Sequence, residues 1–246
     1  MTIDCIATGS AANCYILTAG QDKLILDCGV RLKDIQITLG FDTANVKGCL
    51  VSHGHNDHSK ALPDLMRSGI DCYMTRGTSE EKGASGHRAI IISAGSSFAP
   101  GNFVVYPFAT EHDAAEPTGF LISHVPSGER LLYATDTFYL RYAFKGVHYM
   151  LIECNYCQDI ARGRYQNGEI DKALYDRLMT SHMSLENLKS FLNACDLSAT
   201  RNIVLLHMSD GNADEARMVR EVRELTGIET AAAAGGIRLE MELCPF

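Results

Sequence analysis

Three histidines and one aspartate fall within six residues, in His53-Gly-His55-Asn-Asp57-His58. Neutral imidazole and carboxylate are good ligands for first-row divalent metals. An apolar run, Cys49-Leu-Val-Ser52, leads into them. Gly54 separates His53 from His55, so in extended chain both side chains lie on one face. Asp57 and His58 follow where the chain turns into a helix and point to a second centre. Four such groups together would be costly to desolvate without a cation. A solvated polar loop accounts for a lone His-x-His but not for the full string.

Other candidate ligands also terminate apolar runs. His112 follows 103–108, Asp136 follows 130–134 and His207 ends 203–206. The pattern suggests strand ends converging on one rim. Two divalent ions sharing an aspartate and a water would lower the pKa of that water and stabilise charge on a phosphoryl or carbonyl oxygen. The ligand types thus point to a hydrolase without naming the ester.

The elements that must position these residues are legible as short β-type runs. They fall at 3–7, 14–18, 23–27, 48–52, 71–74, 89–93, 103–108, 119–124, 130–134, 149–153 and 202–207. The early ones sit close together, as in meanders. Helical spacing appears at 59–67, at 184–194 behind the capping pattern Ser184-Leu-Glu-Asn187, and at 213–225 before Gly227. The polar, partly basic segment 155–180 reads as helices and loops over the edge of a site, or as a solvated helical surface. The expected class is α+β, a four-layer αββα sandwich in a single domain over residues 1–246.

The chain has 246 residues, a formal net charge of -8, 46% hydrophobic and 21% charged residues. That is the profile of an ordinary globular protein. No apolar run approaches the ~20 residues that span a bilayer, and the first residues do not resemble a signal peptide. Nine irregularly spaced cysteines suggest reduced thiols in a cytoplasm. The acidic balance argues against a protein that coats nucleic acid by bulk charge. Residues 209–246, with four Arg against eight Asp and Glu, should face away from a polyanion.

The motifs and their order resemble the metallo-β-lactamase superfamily over nearly the whole chain. The resemblance implies that His53, His55 and His112 hold one metal. It implies that Asp57, His58 and His207 hold the other, that Asp136 bridges them, and that Asp27, in Leu-Ile-Leu-Asp-Cys-Gly, orients a metal-binding histidine. His182-Met-Ser resembles the His-Ser-Thr loop of the tRNA 3′-processing endonucleases, and Glu153 stands where their partnering glutamate does. Thr8-Gly-Ser-Ala-Ala-Asn13-Cys and Glu111-His-Asp-Ala-Ala-Glu-Pro-Thr-Gly-Phe120 are similar to the WalJ (YycJ-like) exonuclease group, although Ala11 and Ala12 stand where that group tends to have Ser and Gly.

These residues suggest a dinuclear metal-dependent phosphodiesterase, a nuclease acting on DNA among the possibilities. A hydroxide between the metals attacks phosphorus, Asp57 orients or deprotonates it, and His182 with Glu153 assists the leaving oxygen. Arg162 and Arg164 are candidate substrate contacts. The N/O ligand set admits Zn²⁺ and Mn²⁺ first, then Fe²⁺ or Ni²⁺. Three alternatives stay open: a small-molecule cyclic-phosphate phosphodiesterase, a glyoxalase II-like thioesterase, and a metal-stabilised binding module without turnover. The thioesterase has no use for the Glu153–His182 pair. Cys154-Asn-Tyr-Cys157 lacks the second pair a structural zinc knuckle requires and reads as two reduced thiols.

Overall fold

The run Tyr149–Glu153 is buried at all five positions, whereas Phe103–Ala109 alternates between buried and exposed over its first half. The first pattern belongs to an interior strand and the second to a strand with one wet face. The computed structural model describes residues 1–241. They divide into two compact units, one of residues 1–109, 114–130 and the described residues from Ala234 on, the other of residues 110–113 and 131–233.

The first unit opens with an antiparallel meander of β1 (Thr2–Ala7), β2 (Cys14–Ala19) and β3 (Asp22–Leu26). Then follow α1 (Leu32–Thr38), β4 (Val46–Leu50), α2 (Asn56–Ser59), α3 (Leu62–Arg67), β5 (Cys72–Thr75), α4 (Arg76–Lys82) and β6 (Ala89–Ile92). From β3 to β6 the pairing is parallel, because helical crossovers separate these strands. β7 (Phe103–Ala109) and β8 (Thr118–His124) form an antiparallel hairpin. A C-terminal strand, Ile237–Glu240, pairs antiparallel with β1.

The helix expected at 59–67 starts earlier and is broken. Ala61 leaves the helical path and donates its N–H to the Cys28 carbonyl at 2.8 Å. Pro63 then sits in the first turn of α3, where its missing N–H costs nothing. Cys28 and Cys49 are fully buried with Leu62 and Leu65 in one apolar cluster. The seven-residue helices α1 and α4 are too short to leave a clear period in the sequence.

The second unit contains β9 (Arg130–Ala134), β10 (Tyr149–Glu153), α5 (Gln158–Gln166), α6 (Lys172–Ser181), α7 (Leu185–Ala194), β11 (Asn202–Leu206), α8 (Glu215–Thr226) and β12 (Glu229–Ala232). Its strands neighbour one another in the order β12-β11-β10-β9, all parallel. The polar segment 155–180 is largely α5 and α6. Ser184 caps α7 by accepting the Asn187 N–H at 3.1 Å, and α8 ends at Gly227 in the left-handed conformation. β12 and the C-terminal strand were not anticipated, since Glu229-Thr-Ala-Ala lacks the bulky β-formers. The α+β class is as expected. No helix among the described residues is long and apolar enough to cross a membrane. Of the acidic stretch 209–246, residues 242–246 lie outside the described residues.

One close backbone approach holds the first unit's motif loop. Gly29 follows β3, and a Cβ on it would lie 1.6 Å from the Asp57 carbonyl oxygen. The Asn13 N–H donates to that oxygen at 2.7 Å, and the Cys28 N–H donates to the His58 carbonyl at 2.7 Å. Gly29→Ala should therefore lower stability by about 2 kcal/mol or more. Gly163→Ala, on α5 with open space around it, should raise it by about 0.5–1 kcal/mol. Urea denaturation of both variants checks the pair.

Candidate functional site

Each unit gathers its polar residues at the carboxyl ends of adjacent parallel strands, where ligands of open α/β sheets bind. In the first unit Asp27 follows β3 and the string His53–His58 follows β4. In the second, Asp136 follows β9, Glu153 ends β10 and His207 follows β11. Asp27, Asp136 and His207 all have positive φ, at 55°, 39° and 55°. A non-glycine residue there costs roughly 1–2 kcal/mol. The conformation turns the chain sharply at the strand end.

In the first unit Asp27 is fully buried. Its Oδ1 accepts the Ser52 N–H at 2.7 Å, and its Oδ2 accepts the Ser52 hydroxyl at 2.9 Å. Asp27 Oδ2 also lies 2.8 Å from His58 Nδ1. A carboxylate only accepts, so the His58 proton sits on Nδ1 and the Nε2 lone pair is exposed to partners. Asn13 Nδ2 reaches that Nε2 at 3.0 Å, and Asp57 Oδ2 lies 3.5 Å from it. His53 Nδ1 is 3.0 Å from the Ser52 hydroxyl, and His53 Nε2 is 3.1 Å from His55 Nδ1.

In the second unit Glu153 is fully buried among donors and imidazoles, with the Asp136 carboxylate opposing its charge. Its Oε1 lies 2.7 Å from His182 Nδ1 and 3.3 Å from His207 Nδ1. Its Oε2 accepts the Thr137 and Met183 N–H groups at 2.8 and 3.1 Å. Burial works against charge on both partners, but their mutual attraction and hydrogen bond outweigh it. The Glu153 pKa lies below and the His182 pKa above its ordinary value. The His182 ring stacks on His207 at 5.4 Å and meets the edge of His112 at 5.1 Å. His112 donates Nδ1–H to the Ser181 carbonyl at 2.8 Å, and burial lowers its pKa, which favours the neutral, metal-binding form.

The donor atoms fit divalent ions on spacing as well as type. Two ligands on one tetrahedral ion, with bonds of about 2.0–2.1 Å, stand roughly 3.3 Å apart. His53 Nε2 and His55 Nδ1 are 3.1 Å apart, and His58 Nε2 and Asp57 Oδ2 are 3.5 Å apart. His112 Nε2 is 3.5 Å from Asp136 Oδ2, and His207 Nε2 is 3.6 Å from Asp136 Oδ1. Those last two contacts are too long for good hydrogen bonds. They set one imidazole nitrogen near each oxygen of one buried carboxylate. His182 also lies close enough to His112 and Asp136 to share an ion, with donor atoms within 4.8 Å of one another.

Of the arginines singled out in the sequence, Arg162 is exposed on α5. Arg164 is engaged, donating to Glu169 at 3.2 Å and to Asn212 Oδ1 at 3.1 Å. Three supporting residues escaped the sequence reading as functional. Asn13 and Ser52 hold the first unit's histidines. Asn155 Nδ2 donates to the His207 carbonyl at 2.8 Å and lies 3.0 Å from its Nδ1. The available signal was adjacency: Ser52 directly precedes His53, and Asn155 stands two residues after Glu153.

Comparison with known proteins gives the arrangement a context. A family model described as a beta-lactamase superfamily domain matches residues 24–208. Exodeoxyribonuclease YycJ of Bacillus anthracis is 29% identical over 245 residues, covering 93% of this chain and 91% of that protein. The metallo-beta-lactamase fold protein YhfI from Bacillus subtilis superposes with a TM-score of 0.72 at 16% identity, over 97% of this chain and 98% of that one. Zn²⁺-bound PqqB from Methylobacterium extorquens superposes with a TM-score of 0.70 at 15% identity, over 98% and 100%.

The Asp27–His58 bond generates a prediction. Asp27→Asn preserves shape but removes the charge that fixes the His58 tautomer. It should weaken binding of one divalent ion about 10–100-fold while leaving the fold intact. Competition against a chromophoric chelator, with circular dichroism as the folding control, measures both. Unchanged affinity would show that Asp27 does not set the ligand.

Proposed function

The chain is a metallo-β-lactamase-fold hydrolase belonging to the beta-lactamase superfamily, and we propose that it is a dinuclear phosphodiesterase whose substrate is nucleic acid. The ligands would be His53, His55 and His112 for one ion and Asp57, His58 and His207 for the other, with Asp136 shared. The order of the motifs supports this set, as do the ligand-to-ligand spacings within each unit. Two divalent ions held there, Zn²⁺ or Mn²⁺ before Fe²⁺ or Ni²⁺, would supply a water acidic enough to ionise near neutral pH and charge to offset the phosphoryl oxygens.

The chain's own residues would do the rest. Asp57, partly exposed beside His58, would orient the attacking water and take its proton. Glu153 accepts from His182 Nδ1, so the His182 proton that can leave is on Nε2. Its raised pKa keeps that proton in place for donation to the departing alkoxide. Exposed Arg162 would meet a phosphate flanking the cut.

The observation that carries this reading is the Glu153–His182 pair, with the His182 ring set against both His112 and His207. Thioester hydrolysis has no use for an imidazolium at that place. The similarity to an exodeoxyribonuclease over 91% of its length supports nucleic acid as the substrate class. The net charge of -8 favours a second reading, a small cyclic or linear phosphodiester as substrate.

Hydrolysis of bis(p-nitrophenyl) phosphate tests the chemistry. Protein loaded with Mn²⁺ or Zn²⁺ should release nitrophenol, and metal-stripped protein should not. His182→Ala should retain its metal yet lose turnover by about 10²-fold or more; unchanged turnover removes His182 from the mechanism. Asp136→Ala should drop metal content well below two ions per chain by elemental analysis, and full occupancy would defeat the bridging role.

A further inference from the structure

We propose that a groove in the first unit, between α3 and the loop 83–88, binds the sugar–phosphate backbone of a nucleic-acid strand leading away from the His53–His58 loop. The proposal rests on the phosphodiesterase reading and names where its polymeric substrate lies.

The groove encloses about 550 Å³ and none of its lining residues is acidic, in a chain of net charge -8. Arg67, Lys82, His87 and Arg88 all line it. A second surface cavity of similar size, about 510 Å³, carries Asp4 and Asp34 in its own lining beside Arg31 and Arg238, whereas the carboxylates that pair with Arg67 and Arg88 stand outside the lining of the groove. Charge separation of this kind marks an anion surface.

The cations are available to a ligand. The Arg67 side chain is 72% exposed and its partner Asp64 is exposed on the same short helix. Arg88 Nη1 meets Asp71 at 2.7 Å, with both side chains about a third exposed. Ion pairs this accessible contribute little and exchange readily for a phosphate. Lys82 Nζ donates to a neutral group, Asn56 Oδ1, at 2.7 Å. That bond also ties the groove to the metal-ligand string, because Asn56 stands between His55 and Asp57.

The wall suits a polymer backbone. Gly83 and Gly86 have φ of 59° and 100°, and nothing lies within 4 Å of where their Cβ atoms would be. With Ala84 and Ser85 between them, the main chain is open to close approach by phosphates. Pro63 and Met66 supply an apolar side against which sugars or bases can rest. The cations are spread over a cavity much larger than one phosphate, which favours a strand over a mononucleotide.

The test is binding of a fluorescein-labelled single-stranded oligonucleotide to the metal-stripped protein across a salt series. The variant Arg67→Gln/Lys82→Gln/Arg88→Gln keeps a donor at each position, including the one toward Asn56. It should bind about 10–100-fold more weakly at 0.1 M salt, and its log–log salt slope should fall by about 2, as expected for losing three phosphate contacts. Once loaded with metal, it should hydrolyse bis(p-nitrophenyl) phosphate as the wild type does, since that ester does not reach the groove. The charge-keeping variant Arg67→Lys/Lys82→Arg/Arg88→Lys should retain both affinity and slope, which separates lost charge from misfolding. Unchanged affinity and slope in the glutamine variant would overturn the proposal. So would wild-type protein that cleaves the small ester but binds no oligonucleotide. Groove-dependent binding without hydrolysis of any phosphodiester would leave the groove standing and remove the phosphodiesterase reading instead.

Discussion

Carboxylates withdrawn from water must be met by donors or cations, and three of them organise this chain. Asp27 and Glu153 are fully buried and Asp136 is 3% exposed. Asp27 is met by the Ser52 N–H and hydroxyl and by His58. Glu153 is met by two backbone N–H groups and by His182, with His207 close by. Asp136 receives the Thr135 hydroxyl at 2.8 Å, and two imidazole nitrogens approach it only to ligand-edge distances.

The backbone delivers these groups through one repeated device. A buried parallel strand ends, the next residue or two turn sharply, and a polar side chain is set at the sheet's carboxyl edge. Asp27, Asp136 and His207 accept the left-handed conformation to do so. The cost is local, while the strands that lead to these positions are buried over most of their length, as the runs 131–134 and 203–206 show. Strain at polar positions over-determined by a packed sheet is the expected pattern for a functional site. The Gly29–Asp57 approach does similar work for the first unit, fixing the motif loop against the turn after β3.

What the sequence made legible was local. The string His53–His58 declares itself by residue type and by the two-residue spacing of extended chain. Asp136 and His207 stand out because each interrupts an apolar run. The Ser184 cap and the Gly227 stop define the ends of α7 and α8. Features set by distant contacts were not legible. The break at Ala61 depends on the Cys28 carbonyl, and Asn13 becomes a His58 partner only when β2 brings it beside α2. Parallel pairing from β3 onward required recognising α1 and α4, whose seven residues carry too little period. Arg164 looked available in the sequence, yet Glu169 and Asn212 occupy it. The cations of the α3 groove are scattered from Arg67 to Arg88, so no sequence window gathers them.

The proposed mechanism requires a pair of ions that share one carboxylate. Electron paramagnetic resonance of metal-stripped protein reloaded with two equivalents of Mn²⁺ tests it directly. Ions joined through Asp136 should give the broadened signal of an exchange-coupled pair, and Asp136→Asn should weaken that coupling. Two bound ions that show only the hyperfine pattern of isolated Mn²⁺ would contradict the account.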